Sequence, residues 1–160
     1  MKTSLLRKLK ILHFLRLSFA QDDAIRLRVK CIQLAVVQIG LADSLTFSII
    51  EKSSGRIAGE IALRIGEAPC LDYLGHIGYH IDPSYRGRHF AMRACALCRS
   101  FLKEVGMHSA VITTDEDNLP SIRTCEGLGC RFECTVDVPS WCVDEFQISN
   151  RKRRYIFDTA

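Results

Sequence analysis

Two periodicities meet near the middle of the chain, and their junction constrains the fold more than any other feature. His76-Ile-Gly-Tyr-His-Ile81 reads as a strand and is ended by Asp82-Pro83-Ser84. From Phe90 the period lengthens: Phe90, Ala94, Leu97 and Phe101, with Cys98, Leu102 and Val105, recur every three to four residues. Gly106 follows at the C-terminal stop position, so the longest helix is expected here. Ser109 to Thr113 then makes a short buried strand. Residues 76–113 therefore read as strand, helix and strand joined by a right-handed crossover.

The turn between strand and helix carries chemistry. Tyr85-Arg-Gly-Arg-His-Phe-Ala91 places a glycine-bearing turn at a helix start, where backbone N–H groups and the positive end of the helix dipole are exposed. Such a turn holds phosphate oxygens without needing a particular side chain. Gly87 allows close backbone approach, Ala91 keeps the first turn slim, and Arg86 and Arg88 add charge suited to phosphates. No Gly-Lys-Ser/Thr follows, which excludes a Walker loop, and the dinucleotide glycine spacing is absent.

The remaining elements can be read around this unit. Ala24 to Lys30 alternates apolar and basic residues as a half-buried strand, while 31–43 is ambiguous. Leu45 to Glu51, the turn Ser53-Ser54-Gly55 and Arg56 to Ile65 form a hairpin, and 66–75 is a loop. Pro120 opens a second helix running to about Leu128 and stopped by Gly129. Arg131 to Val138 forms a strand broken by Pro139, and Arg154 to Phe157 a last short one. The expected class is α/β with a mixed sheet.

At 160 residues the chain fits one domain able to bury a core. Its net charge of +4 is too mild to argue for nucleic acid, but suits a polyphosphate ligand. Cysteines stand at 31, 70, 95, 98, 125, 130, 134 and 142. Cys95 and Cys98 share a helix face, and no second Cys or His pair completes a zinc set, so reduced thiols in a cytoplasmic protein and no metal are expected. Basic residues before Ile11 to Ala20 give a superficial likeness to a signal peptide, but His13 and Arg16 interrupt the apolar run. That run is also too short to span a bilayer. Leu5, Leu6, Leu9, Leu12 and Phe14 to Leu17 form a helical stripe instead. Residues 1–20 are thus expected to dock as an amphipathic helix on a domain spanning 21–160, or on a second subunit in a homodimer, in preference to lying on a membrane surface.

The block Ile77 to Ala91 resembles the GCN5-related N-acetyltransferases (GNAT). Their pyrophosphate signature reads Arg/Gln-x-x-Gly-x-Gly/Ala; Arg86 matches its first position, Ala91 its last, and His89 stands where glycine is usual. Asp117 to Cys130 resembles the family's Asn-x-x-Ser/Ala...Glu-x-x-Gly-Phe segment through Asn118, Ser121, Glu126 and Gly129, with Cys130 in place of the aromatic. Val138-Pro139 and Arg154-Tyr-Ile-Phe157 resemble a closing hairpin of one branch. The resemblance runs over roughly residues 24–158.

It implies a mostly antiparallel central sheet with splayed fourth and fifth strands, flanking helices, and the N-terminal helix as an addition. It implies acetyl-coenzyme A as cofactor, its pantetheine arm pairing with strand 76–81 up to Ile81. Its phosphates would lie on Arg86, Gly87, Arg88, His89, Phe90 and Ala91, with Asn118 beside them. A small-molecule or peptide amine would attack the thioester directly. Glu60, mid-strand with apolar neighbours, would suit a base if buried and could equally be exposed, and His80 is a second candidate base that could equally serve only local hydrogen bonding. Cys125 occupies the position of a tyrosine that protonates the leaving thiolate in many members. A buried thiol there is expected to be mainly structural.

Asn118 could equally cap the helix at Pro120, and His76 could serve only local hydrogen bonding. Arg151 to Arg154 reads as a solvated hairpin end rather than a nucleic-acid patch. Tyr155 and Phe157 alternate there as core residues. Two rivals remain: a module that binds acyl-coenzyme A without turnover, favoured by His89, Cys125 and Cys130, and, ranked lower, a nucleic-acid binder.

Overall fold

A computed structural model describes residues 12, 13, 15–17, 19–34 and 42–160. Seven strands, β1 (Ile25–Gln33), β2 (Asp43–Glu51), β3 (Ile57–Ile65), β4 (Ile77–Ile81), β5 (Ser109–Thr114), β6 (Arg131–Asp137) and β7 (Arg151–Asp158), form one sheet. Their order is β1-β2-β3-β4-β5-β7-β6, and every neighbouring pair is antiparallel except β4–β5. Among the described residues the sheet is accompanied by helices α1 (Leu71–Leu74), α2 (Phe90–Glu104), α3 (Leu119–Gly127) and α4 (Ser140–Phe146), besides the N-terminal segment. This is the mixed sheet with flanking helices that the resemblance implies.

The alternation of each strand explains which side it buries. On β2 and β3, Leu45, Phe47, Ile49, Ile61 and Leu63 are fully buried and meet the apolar stripe of α2, namely Phe90, Ala94, Cys98, Phe101 and Leu102. Leu97 and Val105 border that stripe. Cys95 joins the core as a small apolar residue, as do the other buried thiols; all eight cysteines are reduced. Tyr155 and Phe157 bring β7 into the same core.

The N-terminal segment is helical where described and docks through Leu17, which is 5% exposed. His13 Nδ1 and Arg16 Nη1 each lie 3.3 Å from Glu104 Oε2 at the end of α2. The expected stripe needs correction at two positions: Leu12 and Leu15 point outward at 59% and 49% exposure, because the docked face is set by Leu17. Leu5, Leu6, Leu9 and Phe14 lie outside the described residues.

Other expectations shift at element ends. The loop 66–75 contains α1, and the ambiguous stretch after Lys30 continues β1 to Gln33 past a bulge between Val29 and Cys31. Residues 35–41 lie outside the described set. Pro139 opens α4 instead of simply ending a strand, and β7 begins three residues earlier than Arg154.

Candidate active site

β4 and β5 share a single register pair, Ile77 with Ile112, and part beyond it. The vertex is pinned by His76. Its backbone N–H donates to Val111 O at 2.7 Å, and its Nδ1 accepts from Val111 N–H at 3.0 Å. That fixes the tautomer, so Nε2–H donates to Gly66 O at 3.2 Å. Burial holds the imidazole below its ordinary pKa, and the ring is a neutral structural pin.

The parted strands open a cleft of about 140 Å³ lined by Gly78, Tyr79, Thr113, Asp115, Ser121 and Lys152, with Asn118 at its edge. Tyr79 brings its hydroxyl to Ser121 Oγ at 2.9 Å and to Cys125 Sγ at 3.9 Å. Burial raises this phenol above its ordinary pKa, so it stays protonated. Across the cleft, burial alone would raise the Asp115 carboxyl. Hydrogen bonds from Lys152 Nζ and Ser149 Oγ, both 2.5 Å, overcome that and hold it below the usual range.

Beyond β4, the turn Pro83–Tyr85 leads to the glycine-bearing loop. Gly87 has φ +76° and His89 φ +58°, both left-handed. The His89 position therefore explains why glycine suits it: an L residue there costs on the order of 1 kcal/mol. No side chain caps α2, whose N-cap is His89, so the first-turn amides are left for another acceptor. A Cβ at Gly87 would meet no protein atom within 4 Å, which leaves the loop backbone approachable. Arg86 Nε donates to Ile81 O at 3.2 Å, tying the loop to the end of β4.

The other candidates fall as follows. Arg88 pairs closely with Glu51 and lies over the rings of Tyr85 and Phe90 at 5.9 and 5.3 Å, so its charge braces the loop. Phe90 and Ala91 are buried in the first turn of α2. Asn118 caps α3, its side chain accepting from Ser121 N–H at 3.2 Å.

Glu60 and His80 face each other across β3 and β4 but line no part of the cleft. Glu60 is paired with Lys30, and His80 Nε2 sits 3.6 Å from Asp82 Oδ1 in the open. Alternation sends them to the face opposite Tyr79. Cys125 is fully buried; its hydrogen bond to Cys130, then burial, push its thiol up.

Tyr79, Asp115 and Lys152 line the cleft, and the sequence did not single them out. The basic run also needs correction: Lys152 and Arg154 side chains are only 12% and 14% exposed, Lys152 meeting Asp115 and Arg154 meeting Asp72 and Glu133. Parity gave a signal for Arg153 and not for Lys152 or Arg154, since the Tyr155 and Phe157 alternation carried backwards puts only Arg153 on their face. Its guanidinium indeed lies 4.8 Å over Phe132. Among the described residues, no group of three or more His, Cys, Asp or Glu is placed to hold a metal ion. No helix among them is long and apolar enough to cross a membrane.

Comparison with known proteins places this geometry. No curated protein sequence matches the chain. Among solved structures, a GCN5-related N-acetyltransferase from Brucella melitensis is 25% identical, with a TM-score of 0.54 over 72% of this chain and 51% of that one. The chain thus spans about half the length of that relative. A probable GNAT-family acetyltransferase from Chromobacterium violaceum shares the fold at 14% identity, with a TM-score of 0.60 over 88% and 85%. RimJ from Mycobacterium smegmatis, in complex with coenzyme A disulfide, does so at 18% identity, with a TM-score of 0.54 over 72% and 53%. The model of the acetyltransferase (GNAT) domain family matches residues 6–131, starting upstream of the motif resemblance and ending at the first residue of β6. Matched over more than half of its length, the chain belongs to the GNAT acetyltransferase family.

Proposed function

We propose that the protein transfers acetyl from acetyl-coenzyme A to a primary amine, on a small molecule or a peptide, by direct attack. One observation carries this reading: β4 stops pairing with β5 at the place where an uncapped, glycine-bearing helix start stands at its far end. The open side of β4 from Gly78 to Ile81 suits an added strand-like chain such as pantetheine. The amides of residues 86–91 suit the pyrophosphate, with Arg86 exposed at the rim and Arg88 holding the loop through Glu51. The binding of coenzyme A disulfide by the Mycobacterium smegmatis relative supports the same ligand class.

Acetyl-coenzyme A brings the acetyl group already activated as a thioester. The chain's own part is to position and to manage protons. Tyr79 offers a protonated hydroxyl from one wall, suited to hydrogen-bonding a departing sulfur. Asn118 commits its carbonyl oxygen to Ser121 and keeps its NH₂ as a donor at the cleft edge. Asp115 is the one carboxylate among the described cleft residues; Lys152 and Ser149 both hold its Oδ1, and its Oδ2 suits an incoming amine as a hydrogen-bond acceptor. The setting we infer is the cytoplasm, where eight reduced thiols are at home.

The test is release of coenzyme A across a broad panel of amines and N-terminal peptides, followed with a thiol reagent. Turnover with any of them, abolished by displacing acetyl-coenzyme A with excess coenzyme A, is the expected result. A specific observation favours the second reading, a binding module without turnover: Glu60 and His80 stay out of the cleft, and Cys125 is buried. Calorimetric binding of acetyl-coenzyme A with no release across the panel would select it.

A further inference from the structure

We propose that Cys125 and Cys130 form a redox site, which a peroxide converts to an intramolecular disulfide across the C-terminal turn of α3. The turn is what brings them together. Cys130 N–H donates to Cys125 O at 2.9 Å and Gly129 N–H to Glu126 O at 3.0 Å, with Gly129 at φ +73°. This nested pair is a Schellman motif, which sets the side chain three positions before the helix end against the second one after it. Usually that contact is apolar. Here both partners are thiols, and they hydrogen-bond each other.

The two sulfurs are unequal in a useful way. Cys130 is partly exposed, whereas Cys125 is fully buried. The hydrogen bond from Cys125 lowers the Cys130 thiol, burial opposes this, and the Arg99 guanidinium lowers it further. Cys130 is therefore the accessible nucleophile and Cys125 the resolving thiol beside it. Cys95 and Cys98 provide the contrast. Both are buried in α2, and burial pushes Cys98 up to about 12.

The chemistry balances with hydrogen peroxide as oxidant. Cys130 thiolate attacks one peroxide oxygen, the O–O bond breaks, and hydroxide leaves, giving a sulfenic acid on Cys130. The Cys125 sulfur then attacks the Cys130 sulfur. An S–S bond forms, the S–O bond breaks, and the Cys125 proton leaves with the expelled hydroxide as water. Two thiols are oxidised by two electrons and one peroxide is reduced to two waters. A dithiol reductant reverses the step. Because Cys125 Sγ sits 3.9 Å from the Tyr79 hydroxyl, the modification reaches one wall of the cleft.

The experiment uses the full chain. Trypsin cuts after Arg123 and Arg131, so both cysteines fall in one peptide, residues 124–131. Protein treated with hydrogen peroxide is denatured, alkylated without reductant, digested and weighed. The expected result is a peptide that takes no alkylating label, weighs about 2 Da less than the dithiol form, and regains both labels after reduction. Cys130→Ser, at a partly exposed position, should leave Cys125 fully alkylated. Two results would overturn the proposal. One is a doubly alkylated peptide at a peroxide dose that oxidises the exposed Cys31. The other is Cys130 heavier by about 32 Da, as a sulfinic acid, with Cys125 still alkylated. The readout is a mass, so it stands or falls apart from acetyl transfer.

Discussion

Replacing His76 with leucine removes the pin at the vertex of β4 and β5 while keeping an apolar side chain in the same space. Leucine offers no acceptor to Val111 N–H and no donor to Gly66 O. Each orphaned group costs about 1–3 kcal/mol if water cannot reach it. With His76 7% exposed, Val111 half-covered and Gly66 exposed to water, the Val111 N–H carries most of the cost, and a total of about 2 kcal/mol is expected. In a domain of this size each kcal/mol moves Tm by about 2–4 °C, so the melt should fall by roughly 4–8 °C. The same substitution has a pH signature. The folded pKa of His76 lies below its ordinary value of 6.5, so the unfolded chain takes up the proton first. Stability is then fully present above about 6.5 and is lost as pH falls through the depressed folded value, by up to ~1.4 kcal/mol per pH unit. His76→Leu should lack this component. Circular dichroism melts at pH 7.5 and 5.5 test both parts. A mutant melting within about 2 °C of wild type at pH 7.5, with an unchanged difference between the two pH values, would refute the pin.

Three further substitutions probe the site. A Cβ on Gly59 would lie 2.1 Å from His80 O and 2.9 Å from Ile81 Cα, both backbone atoms. Gly59→Ala should therefore cost about 3 kcal/mol and weaken coenzyme A binding by shifting β4, as read by melting and calorimetry. Gly87→Val meets no protein atom, but puts a β-branched residue at φ +76° beside the loop amides. It should lower coenzyme A affinity about tenfold or more for a stability loss of only about 1–2 kcal/mol. Cys125→Ala should keep turnover within roughly tenfold of wild type, below the usual contribution of a general acid. A hundredfold loss of turnover with normal folding and binding would make that thiol the acid.

The parts of the fold that were legible in the sequence are those fixed by local chemistry. The change of period at Phe90, the glycine-bearing turn before it and the stops at Gly106 and Gly129 each act within a few residues, and each stands where expected. The cleft residues escaped because their significance is made by partners far along the chain. Lys152 reads as a solvated charge until Asp115, 37 residues earlier, is seen to neutralise it. Apolar neighbours left Glu60 open between a buried and an exposed position, and the ion pair with Lys30 on β1 could not be seen from them. Leu12 fitted a helical stripe, yet a stripe does not say which of its members the domain will cover.

The parting of β4 from β5 means that this protein carries an unpaired strand edge in the interior of its sheet as well as at its borders. An edge at the border is open to any strand that arrives, which is how sheets come to aggregate. An edge inside a wedge is selective by shape. The vertex at His76 and the opposite wall at Thr113 and Asp115 bound a space of only about 140 Å³. Backbone hydrogen-bonding capacity set in such a wedge suits the slender thioester arm proposed above better than a whole added strand.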